Sequence, residues 1–161
     1  MYWERDRGSF FNFNQHYHIS GQGMPLFSAT YINKVDKKGR VSVPAAFRSA
    51  LPGDDPSISI LPSLVSRAIE GFDHLYLNQI SERVNSYEIL TISNLPADPA
   101  SEIVSRSQTM TYDGDGRIVL PPNFIEHAGI TDRAVFVGMG RTFRIWSPEE
   151  YEASRSQSGR T

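Results

Sequence analysis

Asp36-Lys37-Lys38-Gly39-Arg40-Val41-Ser42-Val43-Pro44-Ala45-Ala46-Phe47 returns as Asp113-Gly114-Asp115-Gly116-Arg117-Ile118-Val119-Leu120-Pro121-Pro122-Asn123-Phe124, at a constant offset of 77 positions. A unit carried twice fixes the architecture around which every other segment must be placed. Two copies are too few for a solenoid. They are expected to pack face to face in one pseudo-symmetric domain, or to assemble in pairs with other subunits.

Within the first copy, the β-branched and aromatic residues from Ala29 to Val35 predict a strand. Asp36 to Gly39 supply turn chemistry, with Asp36 accepting from the turn amides and Gly39 free to take a positive φ. A hairpin is expected, because Val41 and Val43 alternate with Arg40 and Ser42, giving a returning strand with one buried and one wet face. Pro44 then ends the ladder and opens a short helix, whose Phe47 and Leu51 form an apolar stripe up to Pro52-Gly53. The second copy follows the same logic. Met110 to Tyr112 lead in, Asp113 and Gly116 shape the turn with Gly114, Ile118 and Leu120 point inward, and a helix carrying Phe124 and Ala128 closes at Gly129.

Beyond each unit lie further strands. Val135-Phe136-Val137 and Phe143-Arg144-Ile145-Trp146 flank Gly138-Met139-Gly140, which reads as a turn. Ser147-Pro148-Glu149-Glu150 is a capping box, with Ser147 as N-cap, Pro148 at N1 and Glu150 at N3. In the first half, Ile58-Ser59-Ile60-Leu61, Ala68-Ile69 and Leu75-Tyr76-Leu77 are the strand candidates. Asn78 is then expected to cap a helix with Ile80, Val84 and Tyr87 on one side. Thr91 to Pro99 reads as a linker and Ala100 to Ser107 as a short helix. Residues 1–23 show neither period and predict a mobile N-terminal arm or an upstream extension, with Met24 as the expected translation start. The expected organisation is therefore the arm 1–23, a first repeat over 24–90, a linker over 91–108, a second repeat over 109–153 and a polar tail over 154–161.

The whole chain has 161 residues, 39% of them hydrophobic, which is enough for one compact domain or two very small ones sharing a core. No stretch approaches the roughly 18 apolar residues of a membrane span, and no secretory core is present at the N-terminus. The absence of cysteine removes disulfide scaffolds, thiol catalysis and Cys-ligated zinc, and suits a reducing compartment. A net charge of -2 excludes a uniformly basic, polyanion-binding surface, so any such face must be local. Residues 34–48 supply it: Lys34, Lys37, Lys38, Arg40 and Arg48 stand against Asp36 alone. The matching span 111–125 carries Arg117 against Asp113 and Asp115. The first copy is thus the better candidate for touching a polyanion.

The pattern Asp-x-x-Gly-Arg-[Val/Ile]-x-[Val/Leu]-Pro with a Phe-bearing helix resembles the SpoVT/AbrB-type DNA-binding domain. Two linked copies, with Tyr31, Gly138 and the closing Ile145-Trp146-Ser147, are similar to the MraZ family of bacterial cell-division and cell-wall operon regulators. The resemblance covers roughly residues 24–153. It implies a mainly β, α+β fold in which two swapped-hairpin repeats make one pseudo-symmetric, double-psi-like barrel, and subunits that assemble into a ring-like homo-oligomer. It further implies cytoplasmic, nucleoid-associated binding to tandem repeats in the promoter of the protein's own operon, with repression as the outcome. The family's DNA contacts fall on the Asp-x-Lys-Gly-Arg turn, which transfers to Lys38 and Arg40. In the second copy Arg117 matches the arginine, but Asp115 stands where the lysine would be. Asn78 stands where members often have proline, and residues 1–23 match nothing in the pattern.

On chemical grounds Arg40 is the candidate reader, since Arg pairs bidentately with guanine, Lys37 and Lys38 are the candidate phosphate holders, and Arg117 is a lesser candidate for phosphate or base contact. Asp36 and Asp113 invite comparison with an aspartic-protease pair, but neither lies in an Asp-[Thr/Ser]-Gly turn. Asp113-Gly114-Asp115-Gly116 lacks the remaining ligands of a calcium loop. His16 and His18 fall in the arm, His74 and His127 are expected to hydrogen-bond near element ends, and Ser42 has no nucleophile motif around it. No catalytic constellation, cofactor, metal or small-molecule substrate is expected. The rival reading is an antitoxin-like interaction protein that binds DNA and a protein partner, which the short polar tail disfavours.

Overall fold

Each copy's alternating strand is too short to stand alone, and the chain solves this by exchanging strands between copies. In the computed structural model, which describes residues 26–53, 55–87 and 99–159, the first copy supplies β1 (Thr30–Lys34), β2 (Arg40–Ser42), α1 (Ala45–Ala50), β3 (Ser57–Pro62), β4 (Ile69–Phe72) and α2 (His74–Tyr87). After α3 (Pro99–Arg106) the second supplies β5 (Gln108–Thr111), β6 (Arg117–Val119), α4 (Pro122–Ala128), β7 (Arg133–Gly138), β8 (Thr142–Trp146) and α5 (Pro148–Ser158). The readings of the arm, of Met24 and of residues 91–98 lie outside the described residues.

The fold is mainly β with five short helices among the described residues, as the α+β, AbrB-like expectation had it. A six-stranded sheet runs in the order β1-β7-β8-β4-β3-β5, and a two-stranded ribbon pairs β2 with β6. Every pairing in both is antiparallel. Exchanging each element for its counterpart in the other copy turns this order into its own reverse. A pseudo-two-fold axis therefore passes through the two self-paired seams, β4·β8 and β2·β6.

This arrangement corrects the simple hairpin reading. The turn at Asp36–Gly39 is tight, with Asp36 N–H donating to Arg40 O at 3.0 Å and Gly39 N–H to Asp36 O at 3.0 Å. Beyond the single bridge Val35↔Val41, however, the two arms part: β1 joins β7 and β2 joins β6. Local spacing cannot distinguish these partners, because the same alternation fits a strand from either copy. A two-stranded ribbon is marginal by itself. Here its inward residues Val41 and Ile118, with Val43 and Leu120 just beyond the strands, are almost wholly buried.

One shared core backs the sheet and the ribbon. Phe47 is its hub, with its ring edge-on to Phe27 at 5.4 Å and to Tyr31 at 5.6 Å, and tilted against Phe143 at 5.2 Å. Burying such a side chain contributes about 2–3 kcal/mol. Across the central seam Gly71 faces Phe143, and a Cβ at Gly71 would lie 2.2 Å from that ring. Only glycine leaves room there for the aromatic ring.

The segment after β4 corrects a second expectation. Leu75-Tyr76-Leu77 form the first turn of α2 and not a strand, and the cap is Asp73, not Asn78. The buried Asp73 carboxylate accepts the Tyr76 N–H at 2.7 Å. Its counterpart is Ser147, which starts α5 by accepting the Glu150 N–H at 3.2 Å, as the capping box predicts. Helix α5 continues through Ser158, into the stretch read as a polar tail. The short helix expected over Ala100–Ser107 is α3, which starts at Pro99 and ends at Arg106.

Candidate nucleic-acid interface

The ribbon β2·β6 fixes where the two candidate arginines go. Arg40 sits opposite Val119 and Ser42 opposite Arg117, so these four residues share the outward face while Val41 and Ile118 face the core. Residues from both repeats, 77 positions apart in the sequence, thus meet on one surface across the pseudo-two-fold axis. Because the strands are antiparallel, the Asp36–Gly39 and Asp113–Gly116 turns lie at opposite ends of the ribbon. Lys37 and Lys38 are exposed at the first end, and Gly114 and Asp115 at the second.

Each turn is built around its aspartate. Asp36 Oδ1 accepts the N–H groups of Lys38 and Arg40, both at 2.9 Å, and Oδ2 accepts Arg40 Nε–H at 2.6 Å. Asp113 repeats the pattern with the N–H groups of Asp115 at 2.9 Å and Arg117 at 3.0 Å, and with Arg117 Nε–H at 3.2 Å. The Arg40 amide, the Arg40 guanidinium and the Lys38 amide hold the Asp36 carboxyl below its ordinary value of 3.8. Asp113 is lowered likewise, first by the Arg117 amide. The negative charge of Asp36 is thus taken up inside the turn, and the arginine stem is oriented by its Nε, which leaves the terminal nitrogens as the outward part of the fork.

Both glycines are required. Gly39 has φ +81° and Gly116 φ +74°, where an L side chain is strained. A Cβ at Gly39 would lie 3.0 Å from Leu120 O, and one at Gly116 would lie 2.5 Å from Arg48 Cζ. Each turn is also pinned by the other copy, Leu120 N–H donating to Gly39 O at 2.9 Å and Val43 N–H to Gly116 O at 2.8 Å.

The two ends differ chemically. Arg117 donates from Nη2 to Asp115 at 3.1 Å in addition to its bond with Asp113, so the aspartate that replaces a lysine also engages the outward part of this fork. Arg48, counted in sequence with the first basic cluster, lies instead against Gly116 of the second turn and donates from Nε to Val43 O at 3.2 Å. Sequence reasoning missed Arg133. It pairs across strands with Lys34, and both line a cleft of about 550 Å³ with Arg40, Arg117, Asp36 and Asp132. Nothing in the repeated motif marks Arg133; only the exchange of strands brings it there.

The remaining candidates are structural. His127 Nε2 lies 3.0 Å from Ser66 O, and His74 Nδ1 lies 3.2 Å from Asp55 Oδ2, matching the expected roles near element ends. Asp36 and Asp113 are separated by the ribbon, each engaged in its own turn. Among the described residues no group of three or more His, Asp or Glu is placed to hold a metal ion, and no helix is long and apolar enough to cross a membrane.

Known proteins share this sequence over most of its length. A protein of Rhodospirillum rubrum named transcriptional regulator MraZ is 39% identical over 138 residues, covering 85% of this chain and 89% of its own. Proteins of the same name from Gluconobacter oxydans and Xanthobacter autotrophicus are 38% and 35% identical, over 86% and 84% of this chain and 85% of their own lengths in each case. The chain belongs to the MraZ family. The family model described as "MraZ protein, putative antitoxin-like" matches residues 103–160, which hold the second Asp-x-x-Gly-Arg turn and the closing Trp146-Ser147 of the MraZ pattern.

Proposed function

We propose that this MraZ-family chain is a sequence-specific DNA-binding regulator of transcription that represses its own cell-division and cell-wall operon. It acts in the cytoplasm, at the nucleoid, as a ring-like homo-oligomer on tandem promoter repeats. The observation that carries the reading is the ribbon, on which Arg40 and Arg117 stand on one exposed face beside Lys37 and Lys38. A rigid two-stranded ribbon fits the major groove, and an Arg fork matches guanine O6 and N7. Arg40 is the principal reader, Lys37 and Lys38 neutralise phosphates, and Arg117, drawn onto Asp115, contributes less.

One ribbon makes few contacts, so affinity rests on several subunits meeting regularly spaced repeats, where linkage raises effective concentration. The names carried by the relatives support regulation of transcription as the role. The test is binding of a duplex taken from just upstream of the coding region, followed by fluorescence anisotropy. Arg40→Ala is expected to weaken binding by about tenfold or more, and Arg117→Ala by less. Parental affinity in Arg40→Ala would remove Arg40 from the interface.

A further inference from the structure

The two strand ends that flank the ribbon are counterparts across the pseudo-axis, yet they carry different chemistry. At one, Lys34 of β1 faces Arg133 of β7; at the other, Thr111 of β5 faces Ser57 of β3. The basic pair borders the cleft that also holds Arg40 and Arg117, so four cationic side chains meet two carboxylates there. Asp36, one of those carboxylates, is already occupied by three donors of its own turn. The other, Asp132, accepts from Thr131 Oγ1 at 3.2 Å. Among the described residues neither Lys34 nor Arg133 forms an ion pair, and both are exposed. Unpaired cations set around a concave surface, with other cations behind them, concentrate positive potential in the cleft.

Resting on the DNA-binding reading above, we infer that the Lys34–Arg133 flank of the ribbon is a phosphate-binding cleft that clamps the DNA backbone beside the base-reading face. The Ser57–Thr111 flank lacks this clamp, so each subunit grips the duplex in one direction only. Arg133 is a contact residue that belongs to neither copy of the repeated motif.

The experiment titrates parent, Arg133→Gln, Arg133→Lys, Lys34→Gln and Arg40→Ala with the same upstream duplex, and with an unrelated duplex of equal length, between about 50 and about 200 mM salt. Loss of one phosphate contact lowers the slope of log affinity against log salt by about 0.9 per subunit engaged. Arg133→Gln and Lys34→Gln are expected to lose affinity by a similar factor on both duplexes and to flatten the salt slope. Arg133→Lys is expected to restore both. Arg40→Ala is expected to lose more on the upstream duplex than on the unrelated one.

If Arg133→Gln keeps parental affinity and slope while Arg40→Ala loses binding, the clamp is wrong and the DNA reading stands. If neither variant changes binding, both fall. A parallel titration with inorganic phosphate separates the remaining source of the same chemistry. Phosphate binding abolished by Arg133→Gln, with duplex binding untouched, would assign the cleft to a free phosphate ligand and overturn its role on DNA.

Discussion

Asp36 and Asp113 do the same work at the two turns, binding two backbone amides and one arginine each, and this makes the geometry of the ribbon's outward face depend on their ionisation. The folded-state pKa of each lies below the ordinary 3.8, so both stabilise the fold at neutral pH. The contribution is complete above the unfolded value and is lost as pH falls from there through the lower folded value. Asp36→Asn keeps the shape of the side chain but removes the titration. Urea unfolding at pH values from about 5 down to about 2.5 is expected to show a shallower fall in stability for this variant than for the parent. Identical pH profiles would mean that the carboxylate charge contributes nothing to holding the turn. Asp36, Gly39, Asp113 and Gly116 were legible as turn residues because the donors and acceptors of a tight turn lie within five positions of one another. The partnership of Arg133 with Lys34 was not, because it arises only when distant strands pair.

At the scale of elements, helix α2 shows how a strong local pattern misleads. Leu75-Tyr76-Leu77 are three bulky apolar residues in a row, which suits a strand, and Asn78 then looks like a cap. The decisive group lies earlier, at Asp73, whose side chain is buried and satisfies the Tyr76 amide while its other oxygen stands 3.6 Å from Arg141 Nη2. A capped helix start outweighs the modest preference of three residues for extended backbone. Asp73→Ala is expected to cost about 1–2 kcal/mol in chemical denaturation, more than a surface cap, because it also removes a buried carboxylate beside the largely buried Arg141 guanidinium. Asn78→Ala is expected to fall within about 0.5 kcal/mol of the parent. Equal effects at the two positions would contradict the cap. By contrast, the start of α5 was legible to the residue, since Ser147, Pro148 and Glu150 place the whole signal in four consecutive positions, while its end at Ser158 was not.

For the molecule as a whole, the exchange of strands means that neither repeat closes a core alone. β1 needs β7, β5 needs β3, and the ribbon needs one strand from each. Residues 24–90 and 99–161, expressed as separate chains, are therefore expected to lack a folded monomeric form. Expressed together they are expected to co-purify and recover the near-ultraviolet circular dichroism of the intact chain. A monomeric half with dispersed amide resonances would refute the interlock. The repeat itself was the most legible feature of the sequence, because its offset is constant from Asp36 to Phe47. The identity of each strand's partner was not, because two near-identical strands offer the same face to either neighbour.

The seams at β4·β8 and β2·β6 join like with like, so a chain carrying a single unit can build the same body from two identical copies. Such an ancestor would be forced to keep its two sides equal, since every substitution would appear twice. Joining the units in one reading frame lifts that restriction: Lys37-Lys38 and Gly114-Asp115 are free to drift apart while Val41 and Ile118 still interlock. Covalent fusion thus turns a palindromic surface into one with a front and a back.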